Sequence, residues 1–137
     1  MIYKPTSTSA ITFADAGILE EWIQQFLRGE GNNLGFADGL LLAPRIYHAP
    51  QLMNLDKFER ICGPEAGLKW QIDEAGFNGR VNEIMSRFEK GDWDMPPLII
   101  NVSDGKYELN DGNHRYEALS RLGIKAHWVI FWETVEN

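Results

Sequence analysis

The sequence predicts an α+β domain, a small mixed sheet with packed helices and an N-terminal helical extension. Three observations predict it. Apolar residues recur at helical spacing over 15–28 and again over 80–90. A compact apolar strand, Leu98 to Val102, runs into Asp104-Gly105, the strongest hairpin signal in the chain. A strand, a short helix and a strand rich in Val, Ile and aromatics then fill 106–132.

In chain order, residues 1–12 carry Ser, Thr and Pro5 and read as a loose lead-in. The first helix is expected from about Asp15 to Arg28, where Ile18, Leu19, Trp22, Ile23, Phe26 and Leu27 make one stripe and Gly29 stops it. Residues 29–39 hold Gly29, Gly31, Gly35 and Gly39 and read as an irregular loop. That loop lacks the Gly-Lys-Ser/Thr ending of a P-loop. Arg45 to Leu52 forms a short strand interrupted by Pro50. Leu55 to Ile61 is expected to be a short helix behind Asn54 or Asp56, closed by Gly63-Pro64. Residues 65–79 carry no assignable pattern. Val81, Ile84, Met85 and Phe88 then make a helical face from Arg80 to Lys90, closed by Gly91. Pro96-Pro97 leads rigidly into the strand that follows. Strand 106–110, helix 114–122 and strand 126–132 are expected to form a β-α-β unit with a right-handed crossover. Two units follow: a helical extension over 1–39 and the main domain over 40–137.

Composition narrows the function. The chain has 137 residues, 44% apolar and 24% charged, which suits one folded domain with a proper core. Its formal charge of −7 argues against a protein that grips nucleic-acid backbone through bulk charge. One cysteine, Cys62, has no internal disulfide partner, and the expectation is a reducing, cytoplasmic setting. No apolar run is long enough to span a membrane, and the N-terminus lacks the apolar core of a signal peptide.

The chemistry concentrates between Tyr107 and Gly123. A strand breaks at Asn110-Asp111-Gly112 and re-enters as a helix with His114 and Arg115 at its start. The first N–H groups of a helix lack partners and sit at the positive end of its dipole, which makes an anion site. Gly112 allows a tight turn and close approach to the backbone. Arg115 offers a fork for phosphate oxygens, and His114 a proton or hydrogen bond. Asn-Asp-Gly is equally ordinary turn and cap chemistry, and both readings stand on the residues alone.

From Pro96-Pro97-Leu98 through the hairpin to Asp111-Gly112-Asn113-His114-Arg115-Tyr116-Glu117-Ala118, the chain resembles the ParB/sulfiredoxin-like superfamily. The likeness covers roughly 80–133 and thins over 40–79. It implies a nucleotide-phosphate site lined by Gly112, Asn113, His114 and Arg115, with Arg80 reaching phosphate from the preceding helix. Sulfiredoxins carry a nucleophilic cysteine just before the His-Arg pair. Asn113 stands there in this chain, so sulfiredoxin activity is not expected. Partition proteins of the superfamily continue into a helix-turn-helix reader, for which the sequence shows no apparatus. The bend is similar to that of the free-serine-kinase branch, whose turn reads Asp-Gly-His-His-Arg. The resemblance therefore implies ATP or another nucleotide, with Mg²⁺, and phosphoryl transfer to an unidentified small-molecule or protein acceptor, or hydrolysis. Asp111 is the candidate general base or metal contact and His114 the charge stabiliser or proton shuttle; Asp111 also suits an ordinary cap. Glu83, Glu89 and Glu117 give no clear second carboxylate. The alternatives are a nuclease-like domain meeting nucleic-acid backbone through Arg80, Arg115 and Arg121, or an inactive interaction module.

Overall fold

A computed structural model describes residues 1–136. Its elements are α1 (Ser7–Asp15), α2 (Leu19–Arg28), α3 (Leu34–Leu40), β1 (Arg45–Tyr47), β2 (Gln51–Asn54), β3 (Cys62–Gly63), β4 (Trp70–Gln71), α4 (Glu74–Glu89), β5 (Leu98–Ser103), β6 (Lys106–Asp111), α5 (Asn113–Arg121) and β7 (Ala126–Thr134). The main sheet is mixed, in the order β1-β7-β5-β6, with β2 also paired to β7. β5 and β7 run parallel; the other pairs in this sheet are antiparallel. The fold is α+β, as the sequence predicts.

The sheet has two apolar faces and each meets helices. Leu98, Ile100, Val129 and Phe131 face α4 and α5 through Phe77, Val81, Ile84, Ala118 and Leu119. Ile99, Ile130 and Trp132, the alternate residues, face α1 to α3 through Phe13, Trp22, Ile23, Phe26, Leu27 and Leu40. The period of two along β5 and β7 thus fills both cores at once. Helices α1 to α3 form one of three layers, with the sheet in the middle.

The structure departs from the sequence expectations at several elements. The lead-in is helical from Ser7: Thr6 caps α1 by accepting from the Ser9 N–H at 3.1 Å, and Ala10 and Phe13 are buried. The helix expected from Asp15 starts at Leu19, and Gly17, at a positive φ of 77°, separates it from α1. The glycine-rich loop contains α3, which is short and buries Ala37 and Leu40. The expected helix over 55–61 is a single 3₁₀ turn, Leu55–Lys57, with Asn54 as its cap. Gly63 is a strand residue, because Cys62 and Gly63 pair in parallel with Trp70 and Gln71. Helix α4 starts at Glu74 behind its cap Asp73, so Arg80 lies inside the helix and not at its start. The β-α-β unit is also different. β7 lies beside β5, not β6, so the parallel pair is β5/β7 and the crossover between them is β6 plus α5.

The hairpin is as expected. Asp104 and Gly105 take φ of 51° and 73°, which matches a two-residue turn between Ser103 and Lys106. At its other end the β5/β6 register slips: Ile100 pairs with Leu109 and Ile99 with Asp111, leaving Asn110 extra. This bulge puts Leu109 on the α4/α5 face and turns Asp111 to the opposite face.

The cap of α1 supplies a direct check. Thr6→Ala is expected to lower the urea midpoint at unchanged slope, by the equivalent of about 1 kcal/mol.

Candidate functional site

The bend between β6 and α5 is built from the five consecutive residues 111–115, which have different tasks. Gly112 takes φ of 104°, and a Cβ there would lie 2.6 Å from a Leu98 methyl and 2.9 Å from the Arg115 guanidinium. Only glycine suits the turn. Asn113 is buried and locked: its Oδ1 accepts from the N–H groups of Ile61 (2.9 Å) and Cys62 (3.2 Å), and its Nδ2 donates to the Leu109 carbonyl (3.1 Å). Arg115 is buried as well. Its guanidinium donates to the carbonyls of Pro96 (2.8 Å) and Pro97 (2.9 Å) and to Asp111 Oδ2 (2.7 Å), and it lies over the Phe26 ring at 5.3 Å. Burial lowers its pKa, Asp111 opposes that shift, and Arg80 adds to it. Asp111 accepts from Arg115 on one oxygen and from Asn33 Nδ2, at 3.1 Å, on the other.

The sequence reading of these side chains therefore changes. Asn113 and Arg115 do not present their polar groups to a ligand; they fix the bend to β3, to Pro96-Pro97 and to Asp111. Asp111 is a positioning carboxylate: one oxygen holds Arg115 and the other holds Asn33. No group of three or more His, Cys, Asp or Glu side chains gathers to hold a metal among the described residues. A Mg²⁺ at this bend would therefore be held mainly by the phosphates it accompanies. The arginine trio offered for nucleic acid also comes apart, since Arg115 is buried and Arg121 is tied to Glu117 and Asn78.

The first turn of α5 lines the space beside the bend, together with His114. No side chain caps α5. The turn opens on a cleft with two arms. One arm, about 470 Å³, is lined by Phe26, Gly31, Asn32, Arg80, Ile84 and the bend. The other, about 650 Å³, is walled by Phe36, Cys62, Lys69, Trp70, Glu108 and the bend. Both volumes lie within the ~300–1,000 Å³ usual for small-molecule sites. The imidazole of His114 is half-buried against Phe77, with ring centroids 4.9 Å apart. Burial, then the Arg80 charge, hold its pKa below the ordinary histidine value, against the pull of Asp111. It is neutral at pH 7.

Two contributors were not legible beforehand. Asn33, Phe36 and the Gly31-Asn32 backbone come from the N-terminal layer and wall the cleft. Cys62, which lies outside the motif in sequence, sits beside the bend through its N–H to Asn113. Burial pushes its thiol up and Arg60 pulls it down, with burial the larger effect. No local signal in 59–72 announced this approach.

The structure thus defines a three-layer α+β domain with a helix-mouth cleft at one edge of its sheet. No protein-family model matches the chain, and no curated protein matches it. Among solved structures, the crystal structure of sulfiredoxin from Arabidopsis thaliana is similar, at 24% identity with a TM-score of 0.43, over 60% of this chain and 84% of that chain.

Two measurements check the site's anchoring. Arg115→Ala leaves Asp111 buried without its cation and is expected to cost about 3–5 kcal/mol in denaturant unfolding. His127, whose Nε2 lies 3.0 Å from the Pro96 carbonyl, is held below the ordinary histidine value chiefly by burial, as His114 is. The unfolded chain then binds these protons more readily than the folded one. Stability is expected to be full above about pH 7 and to fall as pH drops through ~6.5 towards the lowered folded values. A urea series from pH 7.5 to 5.5 checks this, and the fall should shrink in His127→Gln.

Proposed function

We propose that the cleft binds the phosphates of a nucleotide such as ATP, and that the domain promotes phosphoryl transfer or hydrolysis. The observation that carries the reading is the uncapped first turn of α5, aimed into a two-armed cleft with His114 on it and Arg80 on its wall. Backbone N–H groups at a helix start favour an anion without any charged side chain beneath them. Arg80 has a side chain 57% exposed and, among the described residues, pairs only with Glu83, at 3.4 Å, so it is free to swing onto a phosphate oxygen. Phosphoryl transfer asks mostly for positioning and charge stabilisation, and these groups supply both. Neutral His114 takes the proton of the attacking water or hydroxyl as its oxygen bonds to phosphorus. The bond from phosphorus to the bridging oxygen breaks, and that electron pair leaves with the nucleoside diphosphate.

Isothermal titration with ATP, with and without Mg²⁺, tests the reading. Binding is expected, and Arg80→Ala is expected to weaken it about 10- to 100-fold, the loss that follows from removing a charge-assisted hydrogen bond. Any turnover should fall as pH drops below ~6.5, and this acid limb should vanish in His114→Asn. A folded sample that takes up no nucleotide at millimolar concentration overturns the reading.

A further inference from the structure

The larger arm of the cleft has a wall of a different kind. Trp70 is 60% exposed, although its backbone is tightly held. Its N–H donates to the Ile61 carbonyl at 2.8 Å, and it pairs in register with Cys62. Ile61 and Cys62 are both hydrogen-bonded to Asn113, the residue after Gly112. A rigid chain of contacts therefore sets an open indole at a fixed place relative to the mouth of α5. The smaller arm has no such face: Phe26 is buried there beneath Arg115.

We infer that the Trp70 arm is a stacking site for the base of a nucleoside triphosphate whose phosphates lie at the Gly112–His114 turn. The inference rests on the phosphate reading and adds the position and selectivity of the base. A large exposed aromatic on a fixed backbone gains little from folding and offers a π face to a planar ring. Three polar groups lining the same arm, Lys69, Glu108 and Asn110, already have partners. Lys69 bonds Glu108 at 3.0 Å, and Asn110 accepts from the Trp132 indole at 2.9 Å while donating to Glu108 at 3.2 Å. With these groups occupied, stacking dominates and the edge of the base goes largely unread. The site is therefore tolerant, taking adenine and guanine nucleotides alike.

The experiment is titration of the full chain and of Trp70→Ala and Trp70→Phe with ATP, GTP and inorganic tripolyphosphate, circular dichroism confirming that each variant is folded. Trp70→Ala is expected to weaken ATP by roughly 5- to 100-fold, the loss of one base–aromatic stack. Tripolyphosphate should stay within about twofold, Trp70→Phe should recover most of the ATP affinity, and GTP should bind within about tenfold of ATP. If tripolyphosphate binds and Trp70→Ala leaves ATP unchanged, the stacking site is wrong and the phosphate site stands. Equal weakening of ATP and tripolyphosphate also overturns it, as the tryptophan then acts on the bend and not on the base. If neither ligand binds the unaltered chain, the phosphate reading fails and takes the stacking site with it.

Discussion

The buried pair of Arg115 and Asp111 is the contact around which the rest of the molecule is arranged. One guanidinium joins the end of β6, the two prolyl carbonyls before β5 and the ring of Phe26 in α2. Asp111 passes the connection on to Asn33 in the N-terminal layer. A charge removed from water at this depth is tolerated only because its hydrogen bonds are made, and making them requires all three layers to be in place. The pair therefore contributes more to the uniqueness of the arrangement than to a large net stabilisation.

This anchoring also explains why the mouth of α5 is left open. Gly112 sits against Leu98 and Arg115, with no room for a side chain that would cover the helix start. The residues that could have capped it, Asp111 and Asn113, are turned to other partners. Their side chains hold the turn from beneath, and no side chain among the described residues caps its N–H groups where the turn lines a cleft. The arrangement is preorganised: a ligand arriving there does not have to reorder the protein groups that meet it.

Much of this was legible in the sequence where local chemistry and periodicity agree. Asp104-Gly105, the Leu98 strand, the α2 stripe and the β6-bend-α5 succession all follow from residues that act on their immediate neighbours. What was not legible depends on distance or on a single inserted residue. The bulge at Asn110 moves Asp111 to the face opposite Leu109, and strict alternation would have kept them together. Glycines at 76 and 79 masked the start of α4, and Gly35 and Gly39 that of α3, because tertiary packing overrode their weak helix propensity. The sequence made Arg115 a ligand group because a guanidinium at a helix start suits phosphate. Only the approach of Pro96 and Pro97, some twenty residues earlier in the chain, shows that its donors are engaged elsewhere.

The place of β7 in the sheet has a consequence for biogenesis. Among the described residues, β1 and β2 pair with no other strand, and β5 meets them only through β7. A nascent chain leaving the ribosome thus exposes Trp22, Phe26 and their neighbours on α2 with no finished sheet to cover them. Closure has to await the emergence of 126–134, and until then the growing polypeptide is an apt client for chaperones.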